Sequence, residues 1–315
     1  MPDIAENTAK FYEKQLIQKL IATNKQVSAI FGRYIDRISP IIQQLQYDKR
    51  GTVIRNADTE RLLNQELERF KNEFQQIVEL EKIAAWQLAE SKTSDIISKW
   101  AGQTAIATLA QRGAGQRNIQ AMQEFMKRKT SGMNLSDRVW NLANTTKEQL
   151  EFYTQSGLAA GRSADVISRD IRQVLNEPDK RFRRVRDPET GKLVASKPME
   201  QYHPGQGVYR SSYQNARRLA RTEINMAYRQ SDMNGYRGLD FVLGYEVKLS
   251  NGHPAPDICD HAKGRYPKTF TFNGWHPACM CYTVPILMGE DQFDSWVAGE
   301  PVNVAYENDV PQGLK

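Results

Sequence analysis

Three cysteines and three histidines gather in one short stretch near the carboxyl end. Cys259, Cys279 and Cys281 span 23 residues, and His253, His261 and His276 lie in or just before that span. Thiolate and imidazole are the ligands that zinc prefers. A tetrahedral structural site takes four of them from separated segments, so that binding closes a loop. Cys259 supplies one segment, and His276, Cys279 and Cys281 supply the other. A C-x-C pair in extended chain sends both thiols to one side, because side chains alternate with period two. Pro277 stiffens the approach from His276. Together these make a complete Cys3His set for a structural Zn2+, with His253 and His261 as substitutes. Two other readings stand beside it. One is a late disulfide from Cys259 to Cys279 or Cys281 in an oxidising setting. The other is three apolar thiols packed at sheet positions. The spacing is not the common C-x2-C pair, and an odd number of cysteines excludes a complete disulfide framework. A nucleophilic cysteine would rest on sequence proximity alone, so no catalytic residue is assigned.

Charge is concentrated as well. The chain carries a net +6, and residues 177–229 alone account for all of it, with 12 Lys/Arg against 6 Asp/Glu. Lys180, Arg181, Arg183, Arg184 and Arg186 form the densest run, while the last 26 residues carry six acids and one lysine. A basic patch of this kind suits phosphate backbones, through counterion release, or an acidic protein surface; a solvated loop is the alternative.

These groups need a scaffold, and most of it reads as helix. Leu16, Leu20, Val27, Ile30, Phe31, Tyr34, Ile35 and Ile38 make an i, i+3, i+4 stripe that Pro40 is expected to end or bend. A second helix is expected from Asp58 as N-cap, with a seam of Leu63, Leu67, Phe70, Phe74 and Ile77. Gly113-Ala114-Gly115 and Ser131-Gly132 break the later helices. A further helical unit is expected near Ser136, with Thr145 and Glu148 at capping-box spacing and breaks at Gly157 and Gly161 before Ser163. Residues 181–197 read as a basic hairpin turning at 187–191.

A helix over about Tyr213–Tyr236 presents a small-residue face of Leu219, Ala220, Ile224, Ala227 and Ser231. Arg221 and Glu223 lie roughly 200° apart on it and cannot pair with each other. Glu223, if buried, needs a cation or backbone donor from elsewhere. Phe241–Leu249, Thr269–Phe272 and Tyr282–Leu287 have strand character. The fold class is therefore α+β and predominantly helical, with long N-terminal helices and a small C-terminal antiparallel sheet carrying the Cys/His cluster. The expected organisation is a helical arm (1–130), a helical unit (131–176), a basic hairpin or loop insertion (177–212), a C-terminal core (213–289) and an acidic tail (290–315).

Residues 216–287 resemble the C-terminal signature of the phage head morphogenesis family, the Mu F-like minor head proteins. The likeness rests on Ala220-Arg221-Thr222-Glu223 opening a helix, the Ala227…Tyr236 continuation, a strand, Asp257…Cys259, Gly264 and His276-Pro277-x-Cys279-x-Cys281 entering a strand with Pro285. Residues 136–176 are also similar to the family's upstream half. Many members carry a second cysteine where this chain has Ala262, and arginine where it has Met280. The resemblance makes Arg221, Glu223, Asp257 and Pro277 structural signature residues. It implies a virion protein of the capsid interior, present in the host cytoplasm during assembly. Its partners would be the portal, capsid or scaffold proteins and packaged double-stranded DNA, with roles in procapsid assembly, packaging or ejection. The roughly 28 residues after Leu287 are too few for the toxin or enzyme domain some relatives carry.

The expectation is thus a non-catalytic binding protein. Its rivals are a zinc-stapled nucleic-acid-binding module and a metal-dependent hydrolase using Asp257 or Asp260 as acid/base. No apolar run approaches the roughly 18 residues of a membrane span, and the first residues lack a basic or apolar leader, so a membrane partner is not expected.

Overall fold

The computed structural model describes residues 2–44, 46–47, 53–54, 56–101, 119–159, 166–167, 170, 184–196, 200, 211–250, 253 and 256–306. Among these the chain is mostly helical with a small antiparallel sheet near its C-terminal end, as the sequence predicts. The order is α1 (Pro2–Gln43), β1 (Gln46–Tyr47), β2 (Val53–Ile54), α2 (Ala57–Ala101), α3 (Ile119–Lys127) and α4 (Leu135–Ala159). Then come β3 (Arg184–Arg186), β4 (Leu193–Ala195), α5 (Ser212–Arg237), β5 (Val242–Lys248), α6 (Ile258–Ala262), β6 (Gly264–Pro267), β7 (Tyr282–Leu287) and α7 (Glu290–Val297). No helix is long and apolar enough to cross a membrane among the described residues.

The chain divides differently from the consecutive segments read from the sequence. One compact unit comprises residues 1–21, 78–128 and 220–315; the other comprises 22–77 and 129–219. The helices α1, α2 and α5 each contribute to both, so no cut in the linear sequence separates them.

In the second unit the stripe on α1 is buried as expected, from Val27 to Ile38, and continues to Ile42. Pro40 does not end the helix. It sits on the exposed face, and the buried face runs past it, so the one lost hydrogen bond falls where water can replace it. Leu67, Phe70 and Phe74 of α2 meet this stripe, with Phe31 and Phe70 edge to face at 4.9 Å. The seam shifts to Val78, leaving Leu63 and Ile77 half-buried. Asp58 is in the first turn rather than at the cap; Asn56 accepts its backbone N–H at 2.9 Å. Asn134 and Asp137 bond each other's backbone N–H and cap α4. Thr145 and Glu148 therefore fall inside α4, and Thr145 bonds the Asn141 carbonyl one turn back. Gly157 also lies inside α4, while 113–115, 161 and 163 are outside the described residues. Ser131-Gly132 does break the chain, with both φ angles positive. The hairpin β3–β4 forms, and Asp187 caps its turn by accepting from Glu189 and Thr190.

The first unit holds the sheet, in order β6-β5-β7 and antiparallel throughout. Tyr282 and Val284 of β7 pack on Ala5, Ala9 and Ile96 of α1 and α2. The β5 side chains Val242, Tyr245 and Val247 enter a larger aromatic core with Tyr266, Phe270, Phe272 and Trp275. Each such ring contributes about 1.5–3 kcal/mol by burial. Thr269–Phe272 is not a strand. The β6 strand is Gly264–Pro267, and Phe270 and Phe272 instead turn inward from the loop that follows.

Candidate metal centre

Asp257 starts the construction. It caps α6, accepting the Cys259 backbone N–H at 2.6 Å, while the Asp260 carboxylate reaches back to the Asp257 N–H at 2.8 Å. This reciprocal box fixes a one-turn helix and points Cys259 into the core, where it is fully buried. On the other side of β6, His276-Pro277-Ala278 makes a turn closed by Cys279 N–H to the His276 carbonyl at 3.1 Å. Ala278 has φ +61°, a left-handed conformation that a non-glycine residue adopts at a cost of about 1 kcal/mol or more. The chain then runs into β7. Cys279 and Cys281 face the aromatic core, whereas Met280 packs against the other cluster around Trp86 and Tyr228. The alternation expected of C-x-C is present.

The three expected thiols come together; of these His276 touches only Cys259, and it stands outside their group. The three Sγ atoms lie within 4.8 Å of one another, with Cys259 to Cys279 at 3.8 Å, and His276 Nε2 is 3.2 Å from Cys259 Sγ. A tetrahedron with Zn–S of about 2.3 Å has S···S edges of about 3.8 Å, so this donor set is near the size that a zinc ion needs. His276 Nδ1 lies 2.9 Å from the Pro277 carbonyl. A carbonyl only accepts, so Nδ1 carries a proton, which turns Nε2 toward Cys259 and Asp257. Nε2 stands 3.2 Å from Asp257 Oδ2.

The substitutes separate. His253 Nε2 is 2.9 Å from Asp260 Oδ2, and His253, Asp257 and Cys259 form a second, half-exposed group of metal-ligand type. His261 is exposed at the end of α6 and belongs to neither group.

The thiols divide their protons. A hydrogen bond from Cys281, helped by the Arg229 guanidinium, lowers Cys279 to about 4. Burial and the neighbouring Cys279 charge push Cys259 up to about 12; the shared hydrogen bond and burial push Cys281 up as well. A dication would release those two protons and recruit all three sulfurs.

Three residues of α5 hold this knuckle: Thr222, known from the sequence only as part of a motif, and Asn225 and Arg229, to which the sequence assigned nothing. Thr222 Oγ1 accepts the Ala278 N–H at 2.9 Å, and Asn225 Nδ2 donates to the Cys279 carbonyl at 2.8 Å. Arg229 donates to the Cys279 carbonyl at 2.6 Å and to the Cys281 carbonyl at 2.9 and 3.3 Å. The i, i+3, i+7 spacing of these polar residues was the available signal; it lay inside a face read only as small.

Gly274 (φ +104°) makes room for Arg229. A Cβ there would lie 2.5 Å from Nη1 and 3.3 Å from the Cys279 Cβ. Gly274→Ala should therefore destabilise the chain by about 2–3 kcal/mol, through strain and a displaced Arg229. Thermal unfolding checks this; a melting temperature within 1–2 °C of the original would contradict it.

Glu223 is fully buried on α5 and finds its cations away from Arg221, in Arg128 at 2.8 Å and Lys82 at 3.4 Å. Pro277 occupies the knuckle turn. Arg184 and Arg186 are exposed on the β3–β4 hairpin; Lys180, Arg181 and Arg183 lie outside the described residues. Compared with known proteins, the chain matches no family model, no curated protein and no solved structure.

Proposed function

We propose that this chain is a minor head protein of a tailed phage, a binding component of the procapsid whose C-terminal core is stapled by one structural zinc ion. The observation that carries the reading is the meeting of buried Cys259, Cys279 and Cys281, with the His276-Pro277 turn at their edge, against the helix that carries Ala220-Arg221-Thr222-Glu223. Three buried thiols, with His276 against Cys259 at their edge, suit a structural site, which takes sulfur ligands more often than a hydrolytic one does. Such a staple would hold a short sheet and a one-turn helix against a long helix and leave the exposed faces to partners. The exposed Arg184 and Arg186 give the hairpin the charge to lie against packaged DNA or an acidic portal surface.

The test is assembly. The chain produced together with the portal and major capsid proteins of its own genome should sediment with procapsids in less than one copy per capsid subunit. A chain that stays wholly at the top of the gradient, with procapsids forming normally, would sink the assignment.

A further inference from the structure

Arg229 is 4% exposed, and among the described residues no carboxylate lies within ion-pair distance of its guanidinium. Its donors go to backbone carbonyls of Cys279, Cys281 and Asn273, and the ring of Phe272 lies 4.9 Å from its central carbon. The nearby carboxylate of Asp232 takes Lys92 and Thr283 on Oδ2 and also feels the Arg229 charge, but its single negative charge is already matched by Lys92. Carbonyl dipoles satisfy the hydrogen bonds of a guanidinium without cancelling its charge, and Lys92, Asp232 and Arg229 together leave one net positive charge. A buried cation in that position is unfavourable without a negative partner. The negative partner beside it is the thiol trio.

The charge count identifies the state that Arg229 fits. Three thiolates and a divalent ion leave one net negative charge, whichever neutral ligand completes the shell; a monovalent ion such as Cu+ would leave two. We infer that Arg229 is the buried counter-ion of a divalent metal–thiolate centre, cancelling its single net negative charge while its hydrogen bonds fix the C-x-C knuckle. This rests on the metal-centre reading above. It adds a positioning residue that touches no metal, together with a reason for the site to take a dication over a monocation. Thr222 and Asn225 fix the same knuckle without charge, so the two contributions can be separated.

The experiment is a zinc affinity series on the full chain by competition with a chromogenic chelator, with helicity checked by circular dichroism. The original chain should bind one Zn2+. Arg229→Met should bind about 10–100-fold more weakly, the usual effect of losing an outer-shell partner. Arg229→Lys, which keeps the charge and part of the bonding, should stay within about tenfold of the original, and Asn225→Ala should lose less than Arg229→Met. Substituting Co2+ should give tetrahedral absorption bands in all three variants, with the thiolate-to-metal band displaced only in Arg229→Met. Affinity unchanged in Arg229→Met, or a loss in Arg229→Lys as large as in Arg229→Met, would overturn the counter-ion role. If Arg229→Met does not fold, the Arg229→Lys affinity decides: a loss beyond about a hundredfold refutes charge compensation. An original chain that binds no zinc at all would instead remove the metal centre itself.

Discussion

Replacing Cys279 with serine should abolish stoichiometric zinc binding and make the chain's stability indifferent to chelators. The original chain, with zinc at about a thousandfold over its dissociation constant, should be stabilised by about 4 kcal/mol relative to the same chain in excess chelator. Cys279 is the residue to change because three roles meet there. Its sulfur is the one held lowest in pKa, it lies 3.8 Å from Cys259, and its carbonyl receives both Asn225 and Arg229. Serine keeps the carbonyl and nearly the same shape, so the change isolates the ligand atom. Denaturant titrations of both proteins, with and without chelator, give the four values needed. The rival readings give different patterns. Packed apolar thiols predict no response to chelator in either protein. A Cys259–Cys279 disulfide predicts a response to reductant and oxidant; in the structure all three thiols are free.

The thiol site was legible because its ligands flank one short β-excursion, and ligand-type side chains declare themselves in sequence. What holds the site was not. Arg229 acts on carbonyls 44 to 52 residues further along, and a backbone carbonyl leaves no mark on the residue that bears it. The same limit explains the misplaced strand. Thr269–Phe272 has β-type residues, but Phe270 and Phe272 are aromatic because they fill a core beside Trp275, at 6.0 and 4.9 Å between rings. Gly264–Pro267, poorer in strand formers, pairs with β5 because Tyr266 sits opposite Tyr245 and the two rings stack. Tertiary packing overrode propensity at both places. The long amphipathic helices were evident from periodicity. That α1, α2 and α5 serve two compact units was not, since a continuous stripe carries no sign of a change in what covers it.

The Lys92–Asp232 pair was equally hidden, 140 residues apart in sequence, and its disruption should give the second large effect. Both side chains are at most 1% exposed, and Lys92 Nζ donates to Asp232 Oδ2 at 2.5 Å. The same carboxylate oxygen accepts from Thr283 Oγ1 at 2.8 Å, so the pair ties α2, α5 and β7 together. Tyr228 flanks the ammonium with its ring face at 4.8 Å. Burial lowers Lys92 and raises Asp232, against their mutual attraction. Lys92→Met should therefore destabilise the chain by about 3–5 kcal/mol at neutral pH, because it strands a carboxylate in the core. The double change Lys92→Met with Asp232→Leu should recover most of that loss, since a well-packed apolar pair of similar volume is often as stable as a buried ion pair. The pH dependence has a definite sign. In Lys92→Met the folded-state pKa of Asp232 lies still further above its unfolded value near 3.8, having lost the cation that opposed burial. The protonated carboxyl is the form the core tolerates, so the deficit is smallest below pH 4 and grows as pH rises toward 7. Denaturant unfolding of the single and double variants at pH 4 and 7 decides it. A deficit in Lys92→Met that is below 1 kcal/mol and flat with pH would mean that water reaches Asp232 and that the pair is not the buried tie between helix and sheet.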